Sequence, residues 1–154
     1  LLIGWTGKPA STSQLVDKIS LFKARQQKEY RQFLEDSKHC IQRMVDGFHN
    51  ADLESIKNEI RYNRELLKQL GTNSGVHIET PVLNKLCEIA EDFGGAAKTS
   101  GAGGGDCGIV AIDRDSNFKL VLKKWAANKI EQLPLSVHFI ENVKGEIKHH
   151  LIKK

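Results

Sequence analysis

The stretch Lys98-Thr-Ser-Gly-Ala-Gly-Gly-Gly-Asp-Cys-Gly108 holds four glycines within residues 101–105 and joins two short apolar segments, Gly94 to Thr99 and Cys107 to Ile112. A glycine-dense turn between two segments of strand length restricts this part of the chain to a hairpin within a sheet. Such a turn also lets backbone N–H groups converge on an anion with no side chain in the way. Lys98, Ser100 and Asp106 flank it as groups able to contact a phosphorylated substrate. The competing reading is a flexible hairpin loop with no ligand. Against that reading stand its place between strands and its lack of Ser/Gly monotony.

Spacing excludes the common nucleotide motifs. Gly103-x-Gly105-x-x-Gly108 matches the dinucleotide fingerprint in form, but that fingerprint must open a helix. Here Ile109-Val-Ala-Ile112 follows, which reads as a strand. Nowhere does the chain contain Gly-x-x-x-x-Gly-Lys-Ser/Thr, so it has no Walker-type phosphate loop.

The order of elements follows from periodicity and caps. Leu1 to Trp5 reads as a strand, and Ser11-x-x-Gln14 as a capping box opening a helix near Thr12, with Leu15, Val16, Ile19 and Phe22 inward. A second helix is predicted from about Gln26 to Phe48, its stripe formed by Tyr30, Phe33, Leu34, Cys40, Ile41, Met44, Val45 and Phe48. Asn50 is the expected cap of a third helix, closed by Gly71, with a loop from Gly71 to Gly75. Thr80-Pro81 caps a fourth, ended by Gly94-Gly95. Phe118 to Ile130 reads as a fifth, and Leu133 to Ile140 alternates as an edge strand. From about residue 142 the chain is a polar, basic tail. Without the extra helices the order is β-α-β-β-α-β. The fold class expected is therefore α+β, a split ferredoxin-like domain over residues 1–154 with helices on one face of an antiparallel sheet.

Composition narrows the partners. The chain has 154 residues, enough for one domain with a core, and a net charge of +4 that suits small anions. Aromatic residues are only 6% of the total and do not interleave with the basic stretches, which argues against nucleic acid. No apolar run approaches a membrane span. Cys40, Cys87 and Cys107 are odd in number and widely spaced, as expected of a reducing, cytoplasmic setting without a zinc site. No metal is assigned to side chains of this chain.

The wording of the glycine loop resembles the third conserved motif of the GHMP small-molecule kinases, in the form found in bacterial phosphomevalonate kinases. The opening Leu2-Ile-Gly-Trp-Thr-Gly-Lys-Pro-Ala-Ser-Thr-Ser-Gln-Leu-Val16 is similar to the segment that begins the C-terminal half of those enzymes. The resemblance implies the same ferredoxin-like fold and an ATP-dependent transfer of phosphoryl to 5-phosphomevalonate, in the mevalonate route to isoprenoids. Its phosphate loop of the Pro-x-x-x-Gly-Leu-Gly-Ser-Ser type is not found in this sequence, and the chain opens on Leu-Leu-Ile-Gly with no initiator Met. The expectation is a C-terminal portion with no catalytic residue of its own and no activity alone. ATP and Mg²⁺ would be held mainly by the N-terminal half of the same kinase.

On that resemblance Thr12 is the first candidate for the substrate phosphate and Ser13 the second, at a helix start whose free N–H groups and dipole favour anions. The hydroxyl of Ser100 and the amide of Ala102 are further donors, with Gly101, Gly103, Gly104 and Gly105 forming the phosphate loop. Lys98 is either a substrate contact or a solvated strand residue. Asp106 is read as structural or substrate-orienting in preference to a catalytic base. Other readings are a different GHMP kinase, such as one acting on mevalonate, and a free-standing ferredoxin-like module that binds a small anion.

Overall fold

The three prolines stand at 9, 81 and 134, so no proline interrupts a helical backbone between residues 12 and 74. A computed structural model, which describes residues 1–10 and 12–135, has three helices there: α1 (Thr12–Arg25), α2 (Gln27–His49) and α3 (Leu53–Ser74). Pro81 occupies the first turn of α4 (Pro81–Glu91), where its missing N–H costs nothing, and the Thr80 hydroxyl accepts from the Leu83 amide. The fifth helix, α5, spans Phe118–Ala127.

Among the described residues, four short strands form one antiparallel sheet: β1 (Leu2–Trp5), β2 (Ala96–Thr99), β3 (Cys107–Ala111) and β4 (Glu131–Gln132), in the order β2-β3-β1-β4. β3 pairs with both β2 and β1, placing Gly108 opposite Thr99 and Cys107 opposite Trp5. This is the β-α-β-β-α-β topology, with α1 to α3 inserted between the first strand and its helix.

Alternation sorts the helices between the faces of the sheet. Leu2, Ala97 and Val110 point to one face and pack with Leu86, Ile89, Ala90, Val121 and Trp125 of α4 and α5. Ala96 and Ala111 point to the other, against Ile56 and Ile60 of α3 and Met44 of α2. The expectation of helices on one face thus holds for α4 and α5, while the inserted α3 covers the opposite face at β2 and β3. A third apolar cluster lies within the insert and joins Phe22, Leu70, Val76 and Ile78, with Leu15, Ile19, Tyr30 and Phe33 at its edge.

Several sequence expectations are corrected. Asn50 ends α2; Asp52 caps α3, because its carboxylate reaches both the amide and the hydroxyl of Ser55 at 3.0 and 2.6 Å. Gly71 is not a helix end. A Cβ there would lie 2.7 Å from the Val76 carbonyl oxygen, so its lack of a side chain serves close packing. The helix runs on to Gly75, whose φ of 67° makes the left-handed cap. On α2 only part of the expected stripe is covered: Cys40 is buried and Tyr30, Phe33 and Met44 partly so, while Leu34, Ile41, Val45 and Phe48 are exposed. Val16, Val82 and Leu120 also face outward. Pairing of the last strand begins two residues earlier than expected, at Glu131–Gln132, and continues at Leu133, whose amide donates to the Ile3 carbonyl at 2.9 Å; Leu135 is exposed, and the rest of the expected strand, with Val137, Phe139 and the basic tail, lies outside the described residues.

Trp125 is the largest fully buried side chain, and its indole N–H donates to the Leu86 carbonyl at 3.1 Å. Trp125→Ala is expected to cost about 3–5 kcal/mol of stability, whereas Leu120→Ala should stay within about 0.5 kcal/mol. Equilibrium urea denaturation of both variants checks the contrast.

Candidate functional site

The glycine loop runs from Ser100 to Asp106, between β2 and β3, and backbone hydrogen bonds hold it at four points. The Ser100 amide donates to the Cys107 carbonyl at 2.9 Å, closing the hairpin. The Asp106 amide donates to the Lys8 carbonyl at 2.6 Å, and the Asp106 carbonyl accepts from the Thr6 amide at 2.9 Å. The Gly104 amide donates to the Ile78 carbonyl at 2.7 Å. The loop is therefore stitched to the turn between β1 and α1 on one side and to the α3–α4 connection on the other.

These bonds divide the loop into two parts. Gly103, Gly104, Gly105 and Asp106 all have positive φ, of 80°, 79°, 136° and 62°. Gly103 and Gly105 are buried, and a Cβ on Gly103 would meet the Ile78 carbonyl oxygen at 2.2 Å. Ser100, Gly101 and Ala102 are exposed, and a Cβ on Gly101 would meet nothing within 4 Å. The Gly104 amide is thus already spent on the protein, whereas no acceptor among the described residues takes the amides of Gly101 or Ala102. The open lip, residues 100–102, carries exposed donors, and residues 103–106 anchor it through the amides of Gly104 and Asp106.

The start of α1 lies beside this anchor. Leu15, in the first turn after Thr12 and Ser13, is the side chain a Cβ on Gly104 would approach, at 3.1 Å. Thr12 and Ser13 are both exposed there, and no acidic residue occupies that turn. That first turn offers the N–H groups and positive dipole end of a helix start without a carboxylate of its own. Ser11, expected as its cap, lies outside the described residues. Lys8 is exposed on the adjoining turn, and the Thr6 hydroxyl is buried with no hydrogen-bond partner among the described residues.

Lys98 does not take the solvated setting that one of its two readings foresaw. It is half-buried on the α3 face of β2, and its ammonium donates to the Thr99 carbonyl at 2.8 Å. Burial lowers its pKa from the ordinary lysine value, with the nearby Cys40 and Cys87 acting the other way. A direct role at the lip would require it to leave that bond. Asp106 has a structural role through its backbone, which staples the loop in both directions. Its exposed carboxylate accepts a long contact from the Cys107 thiol at 3.6 Å. Burial first, and then the Asp106 charge, pushes that thiol up. Cys40 and Cys87 are free core thiols, pushed by burial to about 11 and about 12.

The sequence reading missed Ile78 and its neighbours. Within the polar run from His77 to Thr80 it is a lone apolar residue, and no local signal announces that its carbonyl receives the loop. Among the described residues no group of three His, Cys, Asp or Glu side chains could hold a metal ion, and no helix is long and apolar enough to cross a membrane.

A family model described as the C-terminal region of GHMP kinases matches residues 44–131. The chain is 39% identical over 138 residues to the phosphomevalonate kinase of Streptomyces sp. (strain CL190), covering 88% of this chain and 37% of that protein. Among solved structures, a Lin0012 protein from Listeria innocua superposes with a TM-score of 0.82 at 40% identity, covering 86% of this chain and 38% of that one. Streptococcus pneumoniae phosphomevalonate kinase, solved in complex with phosphomevalonate and AMPPNP, superposes with a TM-score of 0.74 at 34% identity, covering 86% and 37%. The chain spans less than two fifths of the length of each of these relatives.

The anchor geometry separates two glycines that look alike in sequence. Gly103→Ala should cost about 2 kcal/mol or more, from the carbonyl clash and the left-handed φ together, so loss of function there would reflect a displaced loop. Gly101→Ala should change stability by no more than about 0.5 kcal/mol. Denaturation midpoints of the two variants check this, and equal costs would count against the division into lip and anchor.

Proposed function

The chain belongs to the GHMP kinases, whose C-terminal region it matches, and from that premise we propose that it forms the substrate-binding half of a phosphomevalonate kinase. In this reading an oxygen of the 5-phosphomevalonate phosphate attacks the terminal phosphorus of ATP. The bond from that phosphorus to the bridging oxygen breaks, giving 5-diphosphomevalonate and ADP. The observation that carries the reading is the stapling of the glycine loop to the turn that enters α1, through Thr6, Lys8 and Asp106. It brings two sets of anion donors, the exposed lip and the α1 N-terminus, to one end of the molecule.

Both reactants are polyanions, so the task is to hold like charges in line and neutralise what builds up in the transition state. Fixed, neutral amides suit this because they need no reorganisation as charge develops. The Ser100 hydroxyl and the Ala102 amide bind the substrate from the lip, and Thr12, then Ser13, take its phosphate at the helix start. Gly101 keeps the lip open, while Gly103, Gly104 and Gly105 let it sit against its floor. Asp106 orients the loop, and Lys98 adds positive charge behind it.

On the family resemblance, the reading assigns Mg²⁺, ATP and the groups nearest the transferred phosphoryl to an N-terminal half of the same kinase. The three free thiols fit a cytoplasmic setting.

In the complete kinase, Thr12→Ala should raise KM for 5-phosphomevalonate by about tenfold, as loss of a hydrogen bond to a charged group does, and leave KM for ATP unchanged. Equal effects on both substrates in steady-state kinetics would reduce Thr12 to a helix-start residue. The 154-residue chain alone is expected to show no ATP-dependent transfer; turnover above a mock preparation would overturn the division of labour between the halves.

A further inference from the structure

The α3–α4 connection, Gly75 to Thr80, carries the Ile78 carbonyl that receives the Gly104 amide, and it is itself held by a buried ion pair. Arg64, on α3, donates from Nε to Glu79 Oε2 at 2.7 Å and from Nη2 to Glu79 Oε1 at 2.8 Å. The same Nη2 donates to Asn84 Oδ1 at 3.0 Å. The Asn84 amide nitrogen donates in turn to Glu88 at 2.7 Å, which fixes the oxygen toward Arg64. The two charged side chains keep only 12% and 8% exposure. One guanidinium thus ties together α3, the connection and the first turn of α4.

Ile78 lies next to Glu79 in the chain and has little freedom to move independently of it. On its other side the Val76 amide donates to the Gly71 carbonyl at 2.9 Å. The Ile78 side chain is buried in the cluster of Phe22, Leu70 and Val76. Its carbonyl is therefore presented to the loop from a segment clamped on both sides.

We propose that Arg64 and Glu79 are positioning residues for the glycine loop: their bidentate pair sets the Ile78 carbonyl, which sets Gly104 and hence the exposed lip from Ser100 to Ala102. The consequence for substrate rests on the kinase reading above; the mechanical coupling does not. The hydrogen bonds that Arg64 donates to Glu79 hold its pKa above the ordinary value, so the guanidinium stays charged throughout the working range. Lysine cannot replace it here, because an ammonium lacks the planar fork that reaches Glu79 and Asn84 together.

The test is amide hydrogen exchange by NMR on the 154-residue chain, with Arg64→Lys, Glu79→Gln and the double variant Arg64→Met/Glu79→Met. The double variant removes both charges together and so avoids leaving one stranded in the interior. Exchange at Gly104 should rise by about tenfold relative to the amides of β3, a range that coupled packed elements transmit. Arg43→Ala breaks the other bidentate pair of α3, to Glu59, which lies on the α2 side; it should leave Gly104 unchanged. If Gly104 stays as protected as in the parent chain in all three variants, or rises only in step with β3, the proposal is overturned.

In the complete kinase, Arg64→Lys should raise KM for 5-phosphomevalonate by about tenfold with little change in kcat, the same coupling range applied to binding. Release of Gly104 with an unmoved KM would support the coupling and count against the kinase reading. No release would overturn the coupling whatever the kinetics.

Discussion

Gly103 sits so close to the Ile78 carbonyl that a single added carbon would come within 2.2 Å of its oxygen, and the next amide, on Gly104, donates to that oxygen at 2.7 Å. Four consecutive residues with positive φ make this approach feasible. Most of the site's architecture depends on it. The approach needs glycine at 103, it consumes one of the loop's amides, and it determines which residues stay exposed as a lip. It also makes the floor of the loop a product of the inserted helices, because Ile78 and Leu15 both belong to the insert's own apolar cluster.

The described residues form three apolar clusters with different functions. The cluster of α4 and α5 under the sheet, around Leu86, Val110 and Trp125, fixes the pairing of β1 with β3 and so brings the turn after β1 beside the end of the glycine loop. The cluster on the other face, around Ile56, Ile60 and Ala96, attaches α3 to the sheet. With α3 attached, Arg64 is available to hold the α3–α4 connection. Apolar burial supplies the stability, and a few directional polar contacts convert it into a defined loop position.

Much of the fold could be read from the chain. The order of strands and helices, the Thr80-Pro81 cap and the hairpin at 94–112 all follow from local chemistry that tertiary contacts do not override. The misreadings share a physical cause. Asn50 and Asp52 are both good caps two residues apart, and the choice fell to the carboxylate that also reaches the Ser55 hydroxyl. Gly71 and Gly75 both look like helix ends, yet one answers a packing demand from Val76 and only the other a left-handed turn. Leu34, Ile41, Val45 and Phe48 continue the apolar pattern of α2 but face solvent, since periodicity records which residues share a side and not what covers it.

For the candidate site, the wording of the chain singled out the glycine loop and the hydroxyls at 12 and 13 as candidates, and the resemblance of those motifs pointed to the family to which the chain belongs. Those features are local: a turn rich in glycine and a helix start bearing hydroxyls have their chemistry wherever they are placed. Which amides remain available, where the Lys98 ammonium donates, and why Gly103 and Gly101 are not equivalent were decided by tertiary structure. The Lys98 ammonium, half-buried on the sheet, turns to the neighbouring Thr99 carbonyl, while the other two depend on a carbonyl brought in from a distant part of the chain, from Lys8 or from Ile78. Such a partner leaves no mark on the sequence near the loop, because any residue offers the same backbone oxygen and only the fold determines which one arrives.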